Sequence, residues 1–307
     1  MTTSRRGHLL GISGYLIWGA FPLYFPLLQP GGPVEILAHR IVWSCLTMAA
    51  LVLLLRRRSQ FVAILKDRRT AGLLGLAAVA ITINWGVFIL GVNSGRVVET
   101  SLGYFINPLV TMVMGVLVFR ERMRPAQWVA VGIGVLACVV LTVDYGRPPW
   151  IALILALSFG SYGLLKKGAA ADAIESLGFE TLVIAPFALG FLVWLQGTGH
   201  SSLGTAGVGH VLLLASSGIV TAVPLLCFGA AATRIPLNVL GVMQYLTPSL
   251  HFAIGVLVVG EQMAPSRWAG FVLVWVALAV FTISAFHGRR RALQQRRRGD
   301  LPVNDVA

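Results

Sequence analysis

Polar residues are sparse in this chain and fall in short clusters, which divide it into ten long apolar runs. These lie at about 8–28, 35–55, 71–91, 97–119, 126–143, 149–165, 176–195, 208–231, 237–259 and 266–286. A helix rises about 1.5 Å per residue, so about 20 apolar residues cross the hydrocarbon of a bilayer. The pattern predicts ten transmembrane helices, joined by linkers too short to hold a soluble domain.

The chain also repeats itself. Residues 103–128, GYFINPLVTMVMGVLVFRERMRPAQW, are echoed 140 positions later by 243–268, MQYLTPSLHFAIGVLVVGEQMAPSRW. Between Pro108 and Trp128 nine of 21 positions are identical, among them Pro108/Pro248, Gly115/Gly255, Glu121/Glu261, Pro125/Pro265 and Trp128/Trp268. Two halves of a membrane protein repeat at such a distance. Five spans per half is odd, so the second half enters the membrane from the opposite side. The fold read from this is all-α integral membrane, ten transmembrane helices as two inverted five-helix repeats. The expected boundaries are a terminus at 1–7, repeats at 8–143 and 149–286, and a basic tail at 287–307 read as disordered. The first run is read as a span, not a removed signal peptide, because no small-residue cleavage site follows it.

Composition agrees: 57% of residues are hydrophobic and 11% charged, with a mean hydropathy of +0.82, too few polar residues to coat a water-soluble surface. The net charge of +13 suggests nucleic acid only until the charges are placed. Twenty Lys and Arg fall on the side of the N-terminus and three, Arg96, Arg147 and Arg267, on the other, with Arg40 inside a span. That asymmetry reads as topology, both termini cytoplasmic, with anionic lipid as the contact of the basic loops; nucleic acid is not an expected partner. Cys45, Cys138 and Cys227 all lie within spans, so neither a disulfide framework nor a thiolate metal site is indicated, and no cofactor is expected.

The candidate chemistry is the polar residues left at depth. Proline cannot bond the carbonyl four residues back, so Pro108 and Pro248 free the carbonyls of Tyr104 and Gln244 and are expected to kink both copies. Beside them Tyr104, Asn107 and Thr111 recur at helical spacing, matched by Gln244, with Tyr245 beside it, Thr247 and His251. Two readings stay open for this stripe: the lining of a central substrate site, or helix-to-helix hydrogen bonding. The same alternatives hold for Asn84 with Trp85. Trp18 and Tyr162 are read as packing or lining residues. Arg40 begins only ~7 to 8 Å below the end of its span; it either snorkels to water or meets an anionic group or carbonyl in a pathway. Glu121 and Glu261 precede helices headed by Pro125 and Pro265 and are read as complementing those helix dipoles. No carboxylate stands at mid-depth, so a proton-coupled mechanism would turn to His39 or His251, and an exchanger or facilitator is the other reading.

The stretches WGAFPLYF, EILAHRIVWS, INWGVFILGVNSGRVVETSLGYFINPL, GVLVFRERMRPAQWVAV, LSFGSYGLLKK and LGVMQYLTP resemble the RarD type of EamA-domain transporters, in the drug/metabolite transporter superfamily. The resemblance runs from Leu9 to Thr282. It implies transport of a small organic molecule across the cytoplasmic membrane, amino-acid-like or chloramphenicol-like, through a cavity lined by spans 1, 3, 4, 6, 8 and 9. It carries over no catalytic motif. A secondary transporter is therefore the leading reading, and a channel or structural membrane partner the alternative. An intramembrane enzyme is a weaker one, since no HExxH, Ser/His or paired-carboxylate constellation is present. Oligomeric state is left open.

Overall fold

The computed structural model of the chain describes residues 3–120, 123–169 and 171–297. Its elements are α1 Thr3–Gly19, α2 Phe21–Tyr24, a 3₁₀ turn Phe25–Leu28, α3 Pro33–Leu54, α4 Arg58–Lys66, α5 Arg68–Asn93 and α6 Val97–Phe119. These are followed by α7 Pro125–Tyr145, α8 Trp150–Ala169, α9 Ala173–Gly197, α10 Gly207–Ala232, α11 Leu237–Met243, α12 Leu246–Leu257 and α13 Pro265–Arg297. Among the described residues there is no strand. Among the described residues nine segments are long and apolar enough to cross a membrane, Val239–Leu257 being one, and Arg5–Gly19 with Phe21–Leu28, bent by 40°, makes a tenth. The chain is an all-α integral membrane protein of two five-helix repeats.

Several boundaries have plain local causes. Pro33, Pro125 and Pro265 each open a helix, where the missing N–H costs nothing. Asp67 caps α5, its carboxylate accepting from the amides of Arg69 at 3.1 Å and Thr70 at 3.3 Å. Gly146 ends α7 with φ of 64°, a left-handed conformation that glycine adopts without strain. The bend after Gly19 follows from Pro22, which has no N–H to offer the Trp18 carbonyl.

Three sequence expectations need correcting. The repeated proline does not act alike in its two settings: α6 runs unbroken through Pro108, whereas the matching segment is interrupted at Gln244–Tyr245, just before Pro248. The seven-residue α11 follows Pro236 and contains Gly241, too short and too weak a helix to carry itself across the defect. The last helix continues to Arg297, so residues 287–297 of the basic tail are helical, as their Arg, Ala, Leu and Gln content favours; 298–307 lie outside the described residues. Glu261 caps a different helix from the one expected, its Oε1 accepting from the Val98 amide at 2.9 Å in the first turn of α6. Glu121 lies outside the described residues.

The chain packs as two compact units, Met1–Asn107 with Trp150–Gln262, and Pro108–Pro149 with Met263–Ala307. In the first, α1 packs on α10 and α12, α3 on α9 and α10, and α5 on α8 and α9. Two glycines set the spacing. A Cβ on Gly218 of α10 would stand 2.3 Å from the Trp43 carbonyl oxygen of α3, and one on Gly103 of α6 would stand 2.8 Å from that of Ala152 of α8. The backbones meet there because nothing intervenes. In the second unit α7 pairs with α13. Asp144 takes a hydrogen bond from Arg267 Nε at 2.8 Å and bonds the Ser266 hydroxyl, and Arg124 Nη1 reaches the Ser284 carbonyl at 3.2 Å.

Candidate functional site

The polar groups gathered in the first unit meet where helices are interrupted. His251 of α12 is 2% exposed, and its Nε2 stands 3.1 Å from the Trp18 carbonyl. That carbonyl is the one Pro22 leaves without its helical partner. A carbonyl only accepts, so Nε2 carries the proton and Nδ1 holds a lone pair; Nδ1 has no hydrogen-bond partner among the described residues. One turn earlier on α12, the Thr247 hydroxyl donates to the Tyr15 carbonyl at 2.9 Å. Two side chains of α12 thus bond carbonyls in the last turns of α1, just before its bend.

Asn84 of α5 is committed to its neighbours. Its Nδ2 donates to the Leu155 carbonyl and to Ser158 Oγ, each at 3.1 Å, and its Oδ1 accepts from the Tyr104 hydroxyl at 3.0 Å. The amide is spent on helix contacts, and its effect is to hold the Tyr104 ring in place.

Around these groups runs a row of rings. Phe21 meets Phe25 at 5.5 Å between centroids, Phe25 meets Phe88 at 5.9 Å, and Phe88 meets His251 at 5.1 Å and Tyr104 at 5.8 Å. Tyr104 then meets Phe159 at 6.0 Å, and Phe159 meets Tyr162 at 6.0 Å. These tilted and edge-on contacts are the favourable ones for aromatic pairs.

A cation stands at each end of the row. Lys166 lies 5.1 Å from the Tyr162 ring centre and 3.2 Å from Glu180 Oε1, and the Tyr162 hydroxyl donates to Glu180 Oε2 at 3.1 Å. Arg40 stands at the other end, about 10 Å along α3 from its start. It does not snorkel: it is 4% exposed, with its guanidinium 4.0 Å from the Trp85 ring centre and 5.3 Å from those of Phe21 and Phe25. Its Nε donates to Thr221 Oγ1 at 3.1 Å. Thr221 in turn donates to the Ser217 carbonyl at 2.8 Å, which aims its lone pair at the arginine.

Of the residues singled out by spacing, Trp18, Asn84, Tyr104, Thr247 and His251 form one cluster, and Arg40 with Trp85 adjoins it through Phe25. Tyr162 lies at the far end of the rings. Gln244 and Tyr245 are half-buried at the α11–α12 interruption, and Asn107 is half-buried at the end of the first unit. Thr111 belongs to the second unit. Spacing alone did not single out Thr221, the four phenylalanines or the Lys166–Glu180 pair. The role of Pro22 could have been read, since it lies four residues after Trp18.

Comparison with known proteins agrees with this architecture. Residues 5–143 match the EamA-like transporter family. The chain is 52% identical to Protein RarD of Streptomyces exfoliatus over 288 residues, covering 94% of this chain and 91% of that protein. It is 39% identical to the uncharacterized transporter PA0485 of Pseudomonas aeruginosa over 290 residues, covering 94% and 97%. A solved crystal structure superposes with a TM-score of 0.58 over 92% of this chain and 99% of the other, at 19% identity, which speaks to the fold alone.

Proposed function

The chain belongs to the EamA-like transporter family, in its RarD branch, and from that premise we propose that it is a secondary transporter moving a small organic molecule across the cell membrane by alternating access. The halves are 8–143 and 149–286, with both termini cytoplasmic. The solute binds in the first unit, against Trp18, Tyr104, Thr247 and His251, with Arg40 and Trp85 at one end of the ring row and Tyr162 at the other. Asn107, Gln244 and Tyr245 border it.

The observation that carries this reading is the junction of α12 with the bend of α1. Irregular backbone is tolerated at membrane depth where it is buried in protein or lines a cavity, and broken helices paired across inverted repeats form the solute sites of many transporters. Here one such break is bridged by His251, whose second nitrogen has no hydrogen-bond partner among the described residues. Anionic lipid is the partner proposed for the basic stretch around α4, where Arg58 and Lys66 flank the exposed Val62 and Leu65.

The test is flux in liposomes reconstituted with the purified protein and loaded with a labelled metabolite mixture. A transporter gives saturable flux accelerated by unlabelled solute on the opposite side. Flux that never saturates and shows no such acceleration would make the protein a channel.

A further inference from the structure

Among the described residues Arg40 is a cation without a counter-charge. Arginine stays protonated under all ordinary conditions, and a charge at depth in a membrane is costly unless paired. Yet among the described residues no carboxylate lies within ion-pair reach of it, and every carboxylate of the first unit is engaged elsewhere. Glu35 takes the Ser201 hydroxyl at 3.0 Å and the Ser202 amide at 2.7 Å, Glu99 the Ile151 amide at 3.1 Å, and Glu261 the Val98 amide. Glu175 and Asp172 pair with Arg57, each at 2.9 Å, Glu180 with Lys166, and Asp67 caps α5.

The contacts Arg40 does make leave one edge of the guanidinium open. Its Nε is bonded to Thr221 and its plane is faced by Trp85, Phe21 and Phe25. Neither terminal nitrogen donates to a protein group among the described residues. Two parallel N–H donors on a planar fork match a carboxylate in bidentate fashion. Three ring faces around the fork partly offset the buried charge and offer a flat apolar body something to lie against.

Resting on the transport reading, we infer that Arg40 is the anion-binding residue of the site, and that the solute is a small organic anion whose carboxylate pairs with the Arg40 fork while its flat apolar part lies along the neighbouring rings.

The probes are benzoate, benzamide and benzylamine, which share a ring and differ in charge, applied to the full chain in detergent micelles with thermal unfolding as the readout. Benzoate is expected to stabilise the protein at concentrations at least about tenfold lower than benzamide, a gap of roughly 1.4 kcal/mol, and benzylamine not at all. Arg40→Gln erases the difference between benzoate and benzamide, and Arg40→Lys, which keeps the charge, retains a preference for benzoate. Should Arg40→Gln not fold, the three probes on the unaltered chain and on Arg40→Lys still decide. Equal responses to benzoate and benzamide, including no response to either, overturn the proposal. The liposome assay separates it from the transport reading. Arg40-dependent benzoate binding with no flux of benzoate or of any solute in the metabolite mixture would sink transport and leave the anion site, whereas saturable flux of a neutral solute unchanged by Arg40→Gln, with no preference for benzoate in micelles, would do the reverse.

Discussion

Arg40 and Lys166 stand at opposite ends of one row of rings, each facing an aromatic side chain, and differ in what completes them. Lys166 has Glu180, itself held by the Tyr162 hydroxyl, so its charge is neutralised within the protein. Arg40 has ring faces and a threonine oxygen but, among the described residues, no carboxylate. A completed pair is structural, since removing one partner strands the other as a buried charge. An uncompleted one stores little stability in the empty protein and leaves its binding capacity for something that comes and goes.

That contrast can be broken most severely at Gly218, whose bare backbone lets α10 bring Thr221 up to Arg40. Gly218→Leu would drive a side chain into the Trp43 carbonyl, and the cost is expected at about 3 kcal/mol or more, seen as a collapse of the thermal midpoint in micelles. Normal folding would mean that the α3–α10 contact is not what holds Arg40. Next comes the pair: Lys166→Met strands Glu180 and should cost about 2–3 kcal/mol, with much of the loss recovered when Glu180→Gln is added. His251→Leu leaves the Trp18 carbonyl with no donor from either α1 or α12 and should cost about 1–2 kcal/mol. His251→Gln, which can still donate, should cost less. Arg40→Met should change stability by no more than about 1 kcal/mol, because losing the ring and threonine contacts is offset by losing a buried charge. If Arg40→Met and Lys166→Met destabilise equally, the two ends are alike and the contrast fails.

The smallest effect is at Asp67, outside the spans. Its carboxyl is held below the ordinary aspartate range, chiefly by the Thr70 hydroxyl and then by the Arg69 amide. A group depressed on folding stabilises above its unfolded value, and that contribution disappears as pH falls through the folded value. Protection of the Arg69 and Thr70 amides from hydrogen exchange should therefore weaken on acidification, and Asp67→Ala should show the weakened protection at every pH.

The spans were legible to within a few residues because the length of an apolar run is a direct consequence of bilayer thickness. The amphipathic α4 was not, being nine residues with two exposed apolar side chains among basic neighbours. Nor was the interruption at Gln244–Tyr245 legible, since Pro108 and Pro248 look alike and differ only in how much helix stands before them. The spacing of Tyr104 and His251 put them on matching stripes, but it could not tell a spent group from an unspent one. That Asn84 is saturated depends on Leu155 and Ser158, some seventy residues away. The setting of Arg40 was hidden for the same reason. Its rings come from the bend after α1 and from α5, and its threonine lies 181 positions along the chain, so no single stretch of sequence carries that signal.

Both compact units take helices from both repeats, α1, α3 and α5 lying against α10, α9 and α8, and α7 against α13. A polypeptide of five helices made by itself would therefore lack the neighbours its own helices are shaped for. Neither repeat is expected to fold when expressed alone, each supplying the surfaces the other's helices pack against.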